Sequence, residues 1–436
     1  MIRRTLMFSL LALPLAMSAC NVNLQTKPPV PTPTPTFVPP SIPPGGQYSD
    51  SGIQVSGGSL YTQLTGKSGG IASATIALYG PTLATSSTDS SGQATLSPLE
   101  PGGGYRLVVS APGYATQEVG NITITKQPQP ISERLTMSQG AKVSGHVTAG
   151  GQPVAGAVVS DGLNSTMTDS QGAYSLDGVA LSSVTLTVSK PKYSTGSHAL
   201  TVAEQGATGI DFTLEPTQAV AYFDPSVSPG IPLAKFQGLQ QALQNDGWQI
   251  APQAPSQGGA WVLVSPSMSL PSATASQLAS FVAQGGKLIV FGEWGGFAGF
   301  KNPDTNALVH PFGVHFDPDL IRDPAATNPD WPAVHSFAPN NPAVAGVNAW
   351  QLYQACSVFG VGPAAVLAQT GSGAYQVEDN AQMKPWAVLV GGPYKGGKAI
   401  AVGDASAFSD EDTDGNGRSN LQEADNQHLV TQLFDW

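Results

Sequence analysis

Positive charge is scarce in this sequence. The 436 residues contain 18 Lys and Arg against 29 Asp and Glu, which gives a formal net charge of −11. A protein that binds nucleic acid needs a surface rich in Lys and Arg to neutralise phosphates, and no basic stripe runs along this chain. The composition therefore argues against a DNA or RNA partner. Acidity by itself indicates solubility rather than a particular function.

Cysteine is almost absent, since only Cys20 and Cys356 occur. Two cysteines cannot build a disulfide framework, and a lipid on Cys20 would leave Cys356 without a partner in the chain. Cys356 lies in "YQACSVFG", where no neighbouring residue suggests the paired base that a nucleophile needs. We expect it to be a small, buried, apolar residue.

Long apolar runs are also missing. The run at residues 6–17 is too short to span a membrane as a stable helix. Arg3 and Arg4 precede it, and small residues separate it from Cys20. A positive start, an apolar stretch and a small-residue cleavage site are typical of a signal peptide, which we assign to residues 1–19.

The end of this signal, "MSAC", resembles a bacterial lipobox, with Met17 at the position where Leu is commonest. The resemblance implies cleavage before Cys20, a lipid on its sulfur and therefore a membrane partner. In a cell with two membranes, Asn21 favours the outer membrane because it does not resemble the Asp signal for inner-membrane retention. An ordinary secretory signal with a chance cysteine is the alternative.

Charged residues make up only 11% of the chain, whereas Gly (50) and Pro (37) are abundant. This composition favours short strands and many turns over long charged helices. Proline is densest in "KPPVPTPTPTFVPPSIPPGG", residues 27–46, which favours extended polyproline II. We interpret residues 20–47 as a semi-rigid tether.

Two related units follow the tether. "TDSSGQATL" at residues 88–96 matches "TDSQGAYSL" at residues 168–176, and alternating apolar stretches flank both. The spacing of about 80 residues is the size of a domain, and period-two alternation with Gly and Asp turns predicts antiparallel sandwiches. Asp89, Gly92, Asp169 and Gly172 are expected to form turns.

The segment "VSGHVTAGGQPVAGAVVSDGLNSTMTDSQGAYSLDGV", residues 143–179, resembles the carboxypeptidase regulatory-like domain. The resemblance covers residues 141–216 well and residues 48–137 more loosely. It implies two transthyretin-like, carbohydrate-binding-like β-sandwiches, at residues 48–138 and 139–216. The family is not catalytic, and it commonly spaces, presents or binds sugars and proteins at cell surfaces.

The pattern of apolar residues changes from about residue 217. Buried-type strands such as "KLIVFGE" (residues 287–293) alternate with helical segments such as "SATASQLASFVAQGG" (residues 272–286). This alternation predicts an α/β domain at residues 217–436, with a doubly wound, flavodoxin-like parallel sheet and a closing helix at about residues 425–434.

Four stretches in this part, in their order, resemble the class I glutamine-amidotransferase-like fold, in the non-catalytic branch that includes a domain of intraflagellar-transport proteins. They are "WVLVSPSMSLPSATASQLASFVAQGGKLIVFGEWGG", "NALVHPFGVHF", "NNPAVAGV" and "GKAIAVGDASAFSD". An active member needs a Cys on a sharp strand-to-helix turn. Here Glu293 and Trp294 follow the strand instead, so the glutaminase nucleophile is absent and we expect no amidotransferase activity.

A ligand cleft is still a candidate. Glu293 and Asp404 both stand at carboxyl ends of predicted strands, where open α/β sheets bind ligands, and Trp294 could stack on a sugar or an aromatic ring. Alternatively, Asp404 bonds loop amides and Glu293 faces solvent. Ser406 is a weak serine-hydrolase candidate because no G-x-S-x-G motif occurs. The spacing of His310 and His315 disfavours zinc.

The stretch "DEDTDGNGRSNLQEADN", residues 410–426, matches the calcium-loop pattern D-x-[DN]-x-[DN]-G-x₅-E. Calcium takes six to eight oxygen ligands, and Gly417 at position six allows the sharp bend. Positions one, three, five, seven, nine and twelve supply the predicted ligands, with position seven binding through its backbone carbonyl: Asp412, Asp414, Asn416, Arg418, Asn420 and Glu423.

Ser419 stands at position eight, where paired EF-hands place an aliphatic residue. The loop therefore resembles the isolated calcium loops of dockerin or thrombospondin-type repeats. The alternative is a polar loop of turn-forming residues. We expect a structural calcium ion that holds the loop between the Asp404 strand and the last helix.

These features together predict a non-enzymatic binding or scaffolding lipoprotein of the bacterial cell envelope, with an envelope protein or a glycan as its partner. The alternative is an envelope hydrolase that acts on glycans or peptides through Glu293 and Asp404 or Ser406. A purely structural stalk is a third possibility.

Overall fold

The computed structural model describes residues 57–126, 131–377 and 382–436. The predicted signal peptide, the lipidation site Cys20 and the Pro-rich tether lie outside the described residues. Within these ranges no helix is long and apolar enough to cross a membrane.

The first sandwich consists of two four-stranded sheets. One has the order β2-β1-β5 with β8 pairing parallel to β1, and the other has the order β4-β3-β6-β7. Alternate residues of the strands, such as Leu60, Ile76 and Leu107, meet in a buried core. The strands are β1 (Gly58–Gly66), β2 (Gly69–Gly70), β3 (Thr75–Tyr79), β4 (Ala84–Ser87), β5 (Gln93–Leu99), β6 (Gly102–Ser110), β7 (Gln117–Ile124) and β8 (Ile131–Thr136).

The second sandwich repeats this plan. Its sheets have the orders β10-β9-β13, with β16 pairing with β9, and β12-β11-β14-β15. Val143, Val159 and Leu186 lie in its core. The strands are β9 (Gly140–Ala149), β10 (Gln152–Pro153), β11 (Val158–Ser160), β12 (Ser165–Met167), β13 (Ala173–Ala180), β14 (Ser183–Ser189), β15 (Gly196–Thr201) and β16 (Phe212–Thr213). The prediction of all-β sandwiches is confirmed.

The repeated T-D-x-x-G motif makes the same bonds in both sandwiches. Asp89 Oδ1 accepts the amides of Ser91 and Gln93 at 2.8 and 2.9 Å, and Asp169 Oδ1 makes the equivalent pair at the same distances. Gly92 and Gly172 follow with φ of +81° and +73°, a region that favours glycine. These residues have the structural role that the motif predicts.

The C-terminal region is built on an eight-stranded mixed sheet of order β18-β17-β19-β20-β30-β29-β27-β24. Its strands are β17 (Ala219–Phe223), β18 (Trp248–Ile250), β19 (Ala260–Val264), β20 (Lys287–Phe291), β24 (Ser336–Phe337), β27 (Ala365–Gln369), β29 (Ala387–Tyr394) and β30 (Gly397–Val402). Three small two-stranded sheets pair β21 (Val314–Phe316) with β26 (Val358–Gly360), β22 (Ile321–Arg322) with β28 (Tyr375–Gln376), and β23 (Ala333–Val334) with β25 (Trp350–Gln351).

Helices cover both faces of the large sheet. α1 (Gln237–Asn245) and α4 (Asn426–Asp435) pack through Leu239 and Leu433 on one face. α2 (Ser272–Ala283) and α3 (Asn302–Val309) pack through Phe281 and Val309 on the other. Short 3-10 turns lie at Pro225–Val227, Leu233–Phe236, His310–Phe312, Pro342–Val344, Ser406–Phe408 and Asn420–Gln422.

The expectation of an all-parallel sheet is met only in part. The strands from β18 to β30 pair in parallel, but β29 pairs antiparallel with β30. Only Lys395 and Gly396 separate these two strands. A connection that short makes a hairpin, because a parallel pair needs a crossover of a dozen or more residues.

The first sandwich packs directly against the C-terminal region. Tyr79 and Leu83 share a small buried cluster with Phe359 and Val361. His310 Nδ1 lies 2.8 Å from the Gly80 carbonyl oxygen. The contact thus combines apolar burial with a partly buried hydrogen bond.

The second sandwich is joined to the C-terminal region by lysines around the end of α4. Lys190 Nζ donates to the Asp435 carbonyl at 2.5 Å, and Lys192 pairs with the Asp435 carboxylate at 2.7 Å. The buried Lys398 donates to the Gly156 carbonyl at 2.6 Å. Positive charge near the carboxyl end of a helix also complements the helix dipole.

Candidate functional site

Glu293 and Asp404 lie side by side at the carboxyl edge of the large sheet. Each follows its strand by two residues, and Phe291 of β20 pairs with Val402 of β30. Both carboxyl groups are buried, with exposed fractions of 2% and 0%. The register of two parallel strands therefore brings together two side chains that are more than a hundred positions apart.

Internal donors satisfy both carboxyl groups. Glu293 Oε1 accepts the Ser406 amide at 2.8 Å and the Ser406 hydroxyl at 2.6 Å. Asp404 accepts the amide of Tyr353, and its Oδ1 accepts the amide of Ala407 at 2.9 Å. The pair holds the turn after β30 against the turn after β20.

Burial sets the protonation of this pair. Burial, and then the charge of Asp404, raise the pKa of Glu293 well above its usual range, although the bonds from Ser406 oppose the shift. Burial also raises the pKa of Asp404 to about 7, against backbone hydrogen bonds that lower it. Two adjacent buried carboxyls do not both ionise readily, so the pair retains a proton near neutrality.

The structure brings Glu293 and Asp404 together but encloses them. Trp294, which follows Glu293 in the turn after β20, is half-buried. Asp404 bonds loop amides, as the alternative interpretation expected, whereas Glu293 is buried and does not face solvent. A ligand cleft at Glu293, Trp294 and Asp404 therefore stays a prediction.

No activated nucleophile accompanies the pair in the described residues. Cys356 is fully buried, and burial followed by the charge of Asp319 raises the pKa of its thiol, so the reactive thiolate is disfavoured. The Ser406 hydroxyl donates to a carboxylate rather than to an imidazole. The hydroxyl of Ser406 therefore helps to hold the buried Glu293 carboxyl group.

His310 and His315 are close despite their unfavourable spacing. The 3-10 turn at His310–Phe312 ends at Gly313, whose φ of +80° reverses the chain. His310 Nε2 then lies 2.8 Å from His315 Nδ1, and His315 Nε2 lies 3.3 Å from Asp317. Burial and the neighbouring imidazole lower the pKa of His310 to about 3. The two stacked rings pack against each other at this buried turn.

The predicted calcium loop gathers four of its six residues. Asn416 Nδ2 donates to Asp414 at 2.9 Å and to Glu423 at 3.0 Å. Asp412 Oδ1 accepts the Asn416 amide at 3.0 Å. Gly417 takes φ of +89°, which permits the bend. Two carboxylates thus accept the side-chain amide of Asn416, and a third accepts its backbone amide.

The other two predicted ligands differ. Asn420 is buried, its Oδ1 accepts the Thr413 amide at 3.1 Å, and its Nδ2 donates to the Ser406 carbonyl at 2.9 Å. It therefore ties the loop to the turn after β30. Arg418 donates to the Gln422 carbonyl at 2.6 Å and approaches Glu423 to 3.6 Å.

Two observations bear on a metal in this loop and point in different directions. Within the ranges the structure describes, no three His, Cys, Asp or Glu side chains lie close enough together to hold a metal ion. The buried Tyr353 hydroxyl, however, has no hydrogen-bond partner there. Burial, and then the charges of Asp414 and Glu423, raise its pKa. The acidic side chains of the loop thus lie near one another and near Tyr353, but their oxygens do not converge on one point.

A larger feature escaped the sequence reasoning. A cavity of about 700 Å³ lies where the two sandwiches and the C-terminal region meet, and Arg106, Asn164 and Tyr394 are among its lining residues. No motif marks it, because each wall comes from a different part of the chain. Only β3 and β6 carry a weak signal: Thr75, Tyr79, Arg106 and Ser110 are polar or aromatic on the face that the alternation predicts to be exposed.

Comparison with known families gives two matches. Residues 60–137 and 142–215 each match the carboxypeptidase regulatory-like domain. Residues 236–434 match a domain of unknown function, DUF4350. The resemblance predicted for the two sandwiches is therefore confirmed. No curated protein matches the chain.

Solved structures give weaker likenesses. The structure titled "mmIFT52 N-terminal domain" is 15% identical with a TM-score of 0.41, covering 50% of this chain and 96% of its own. Cytoplasmic protein STM1381 from Salmonella typhimurium LT2 is 13% identical with a TM-score of 0.33, covering 50% and 100%. The shaft pilin SpaA from Lactobacillus rhamnosus GG is 12% identical with a TM-score of 0.17, covering 37% and 98%. At these scores the likenesses carry no argument about function.

Proposed function

We propose that this protein is a lipid-anchored, non-enzymatic binding and scaffolding protein of the bacterial cell envelope. The observation that carries the proposal is that the carboxyl groups at the sheet edge bond to the protein itself. The carboxylates at the sheet edge, Glu293 and Asp404, are buried and bonded to the protein's own turns. Carboxyl groups that are buried and hydrogen-bonded within the protein stabilise the fold and are not free to contact a substrate.

The packing of the three parts supports a scaffold. Buried contacts link the C-terminal region to both sandwiches, through Tyr79 and Phe359 on one side and through Lys398 and Gly156 on the other. Interfaces with buried apolar and polar groups restrain relative motion more than a short linker does. A rigid body on a membrane tether can hold a ligand or partner at a set distance from the surface.

We further assign the C-terminal region to the non-catalytic branch of the class I glutamine-amidotransferase-like fold. The parallel strands β17 to β20, the helices on both faces, and Glu293 in place of a nucleophilic cysteine support this assignment. It accounts for an α/β sheet without the reactive thiol of an active member.

A structural calcium ion belongs to the same proposal. Asp412, Asp414, Asn416 and Glu423 supply hard oxygens in one short loop, and the Tyr353 hydroxyl beside them lacks a hydrogen-bond partner among the described residues. These residues would hold the ion, with the Arg418 carbonyl as a further ligand. An amide flip at Asn416 would present its oxygen in place of its donor group. When bound, calcium supplies positive charge that offsets the repulsion of the carboxylates.

The proposal is tested in cells and in solution. The native protein should fractionate with membranes and carry a lipid on Cys20, visible in the mass of its N-terminal peptide, and Cys20→Ser should release it. Purified protein should turn over no glycan, peptide, ester or amide substrate. Turnover lost in Glu293→Gln would instead favour the envelope hydrolase, and an unmodified, soluble native protein would refute the anchor.

A further inference from the structure

The cavity between the three parts has a floor made by one face of a sheet. Three cross-strand pairs of β3 and β6 form it, namely Thr75 with Ser110, Ala77 with Val108, and Tyr79 with Arg106. The intervening residues point into the sandwich core. At about 3.4 Å per residue the floor runs about 14 Å from Thr75 to Tyr79.

The walls come from the other two parts. The second sandwich contributes the turn around Asn164 and the strand residue Ser175, and the C-terminal region contributes Phe312 and Tyr394. The Phe312 and Tyr394 rings meet edge to face, with centroids 5.0 Å apart. This contact holds the half-buried Tyr394 ring in place at the cavity wall. The volume of about 700 Å³ lies within the range of about 300–1,000 Å³ for small-molecule sites.

The cavity lining carries two basic and two acidic residues, Arg106 and Lys395 against Glu118 and Asp177, so its formal charges balance. Arg106 pairs with Glu118 at 2.9 Å and stacks 4.1 Å from the Tyr79 ring centroid. Asp177 pairs with Lys142 at 3.2 Å. A site for phosphate or another anion needs cationic groups aimed at the ligand, so this lining favours a ligand without net charge.

Two other ligand classes fit poorly. A lipid tail prefers continuous apolar walls, but hydroxyl and amide groups recur along this lining, on Thr75, Ser110, Thr116 and Asn164. A peptide that adds a strand needs an open sheet edge. The floor is a sheet face, and the nearby edge strand β12 is held to the C-terminal region, where Ser165 Oγ donates to the Lys395 carbonyl at 2.7 Å.

We propose that this cavity binds a short, neutral, polyhydroxylated ligand, that is, an oligosaccharide segment. The hydroxyl and amide groups match the donors and acceptors of sugar hydroxyls, and the fixed Tyr394 ring offers a flat surface for the apolar face of a sugar ring. This inference rests on the proposed non-enzymatic binding function and gives it a site and a ligand class.

The test is isothermal titration calorimetry of the full-length protein with maltotriose, cellotriose and tri-N-acetylchitotriose. At least one trisaccharide should bind saturably with a Kd in the millimolar range or tighter. Ser110→Trp, which places an indole on the floor, should weaken that binding by about tenfold or more. Thr75→Trp is a second obstructing variant, because Thr75 is exposed on β3 and tolerates bulk.

Ser197→Trp is the matched control. Ser197 is an exposed serine on β15, away from the cavity lining, so its variant should bind as the parent does. Absence of binding to all three sugars overturns the inference, as does binding that both obstructing variants leave unchanged. Either result leaves the membrane anchor and the lack of turnover intact, so failure here is distinct from failure of the proposed function.

Discussion

Glu293→Gln is expected to stabilise this protein at pH 8, although it changes a buried and fully bonded residue. Both bonds from Ser406 end on the same oxygen, Oε1. A glutamine keeps that acceptor and removes the carboxyl proton equilibrium. Asp404→Asn is the instructive contrast, because the two Asp404 oxygens each accept a separate backbone amide. An asparagine would turn an NH₂ group toward one of those donors and should destabilise the protein.

The scale of the gain is set by comparison with Asp404, which is buried beside Glu293. The pKa of Asp404 rises from 3.8 to about 7 in the folded protein, and one pKa unit corresponds to about 1.4 kcal/mol. Ionising Asp404 in the folded protein therefore costs about 4 kcal/mol. Burying a neutral amide at Glu293 offsets part of the gain, so we expect Glu293→Gln to add about 1–3 kcal/mol at pH 8.

The sign of the pH dependence is defined. A carboxyl whose pKa is raised by folding keeps a proton that the unfolded chain has already released. Stability therefore falls as the pH rises from the unfolded value of 3.8 to about 7, and the loss is complete above the folded pKa. The pKa of Glu293 is raised as well, by burial and then by the charge of Asp404, so Glu293 adds to the decline and Glu293→Gln should remove that contribution.

Urea unfolding of the full-length chain between pH 5 and pH 8.5 measures both effects. Glu204→Gln is the control, since Glu204 is exposed on a turn and its variant should follow the parent curve. Equal stability gains in both variants, or a Glu293→Gln protein that is less stable than the parent at pH 8, would show that the buried pair is not the source of the pH dependence.

Three further predictions concern the loop, a turn and an interface. Calcium should raise the Tm of the full-length protein, and chelator should reverse the rise. Glu423→Gln should abolish this Tm shift, whereas Glu411→Gln, which lies outside the predicted ligand positions, should keep it. A parent protein whose Tm does not change at millimolar calcium would contradict the metal site. Gly172→Ala should lower the free energy of unfolding in urea by about 3 kcal/mol, because a Cβ there lies 2.5 Å from the Val147 carbonyl oxygen. Gly151→Ala, at a similar positive φ but with open space around it, should lower it by only about 1 kcal/mol. Equal losses in the two variants would argue against the steric reason. Burial lowers the pKa of Lys190 from 10.5 to about 8, so the free energy of unfolding should increase as the pH rises from about 8 toward 10.5. Lys190→Met should reduce that increase. If the variant shows the same dependence of stability on pH as the parent, Lys190 is not its cause.

The sequence predicted those features that depend on neighbours in the chain. The T-D-x-x-G turn forms because Asp169 accepts amides two and four residues ahead and because Gly172 tolerates positive φ. Alternating apolar residues in the strands around it define one buried face. The same local reasoning located the bend at Gly417 and the absence of a nucleophilic cysteine after β20.

Tertiary structure decided the rest, because burial and charge coupling depend on residues that are distant in sequence. Glu293 and Asp404 are adjacent because β20 and β30 pair in register, and the folded protein buries both carboxyl groups. Asn420, a predicted metal ligand, is buried against the Ser406 turn. The cavity lies where the two sandwiches and the C-terminal region meet. Each segment of the sequence contains only part of its lining, so the set of groups that face the cavity is decided by the tertiary structure.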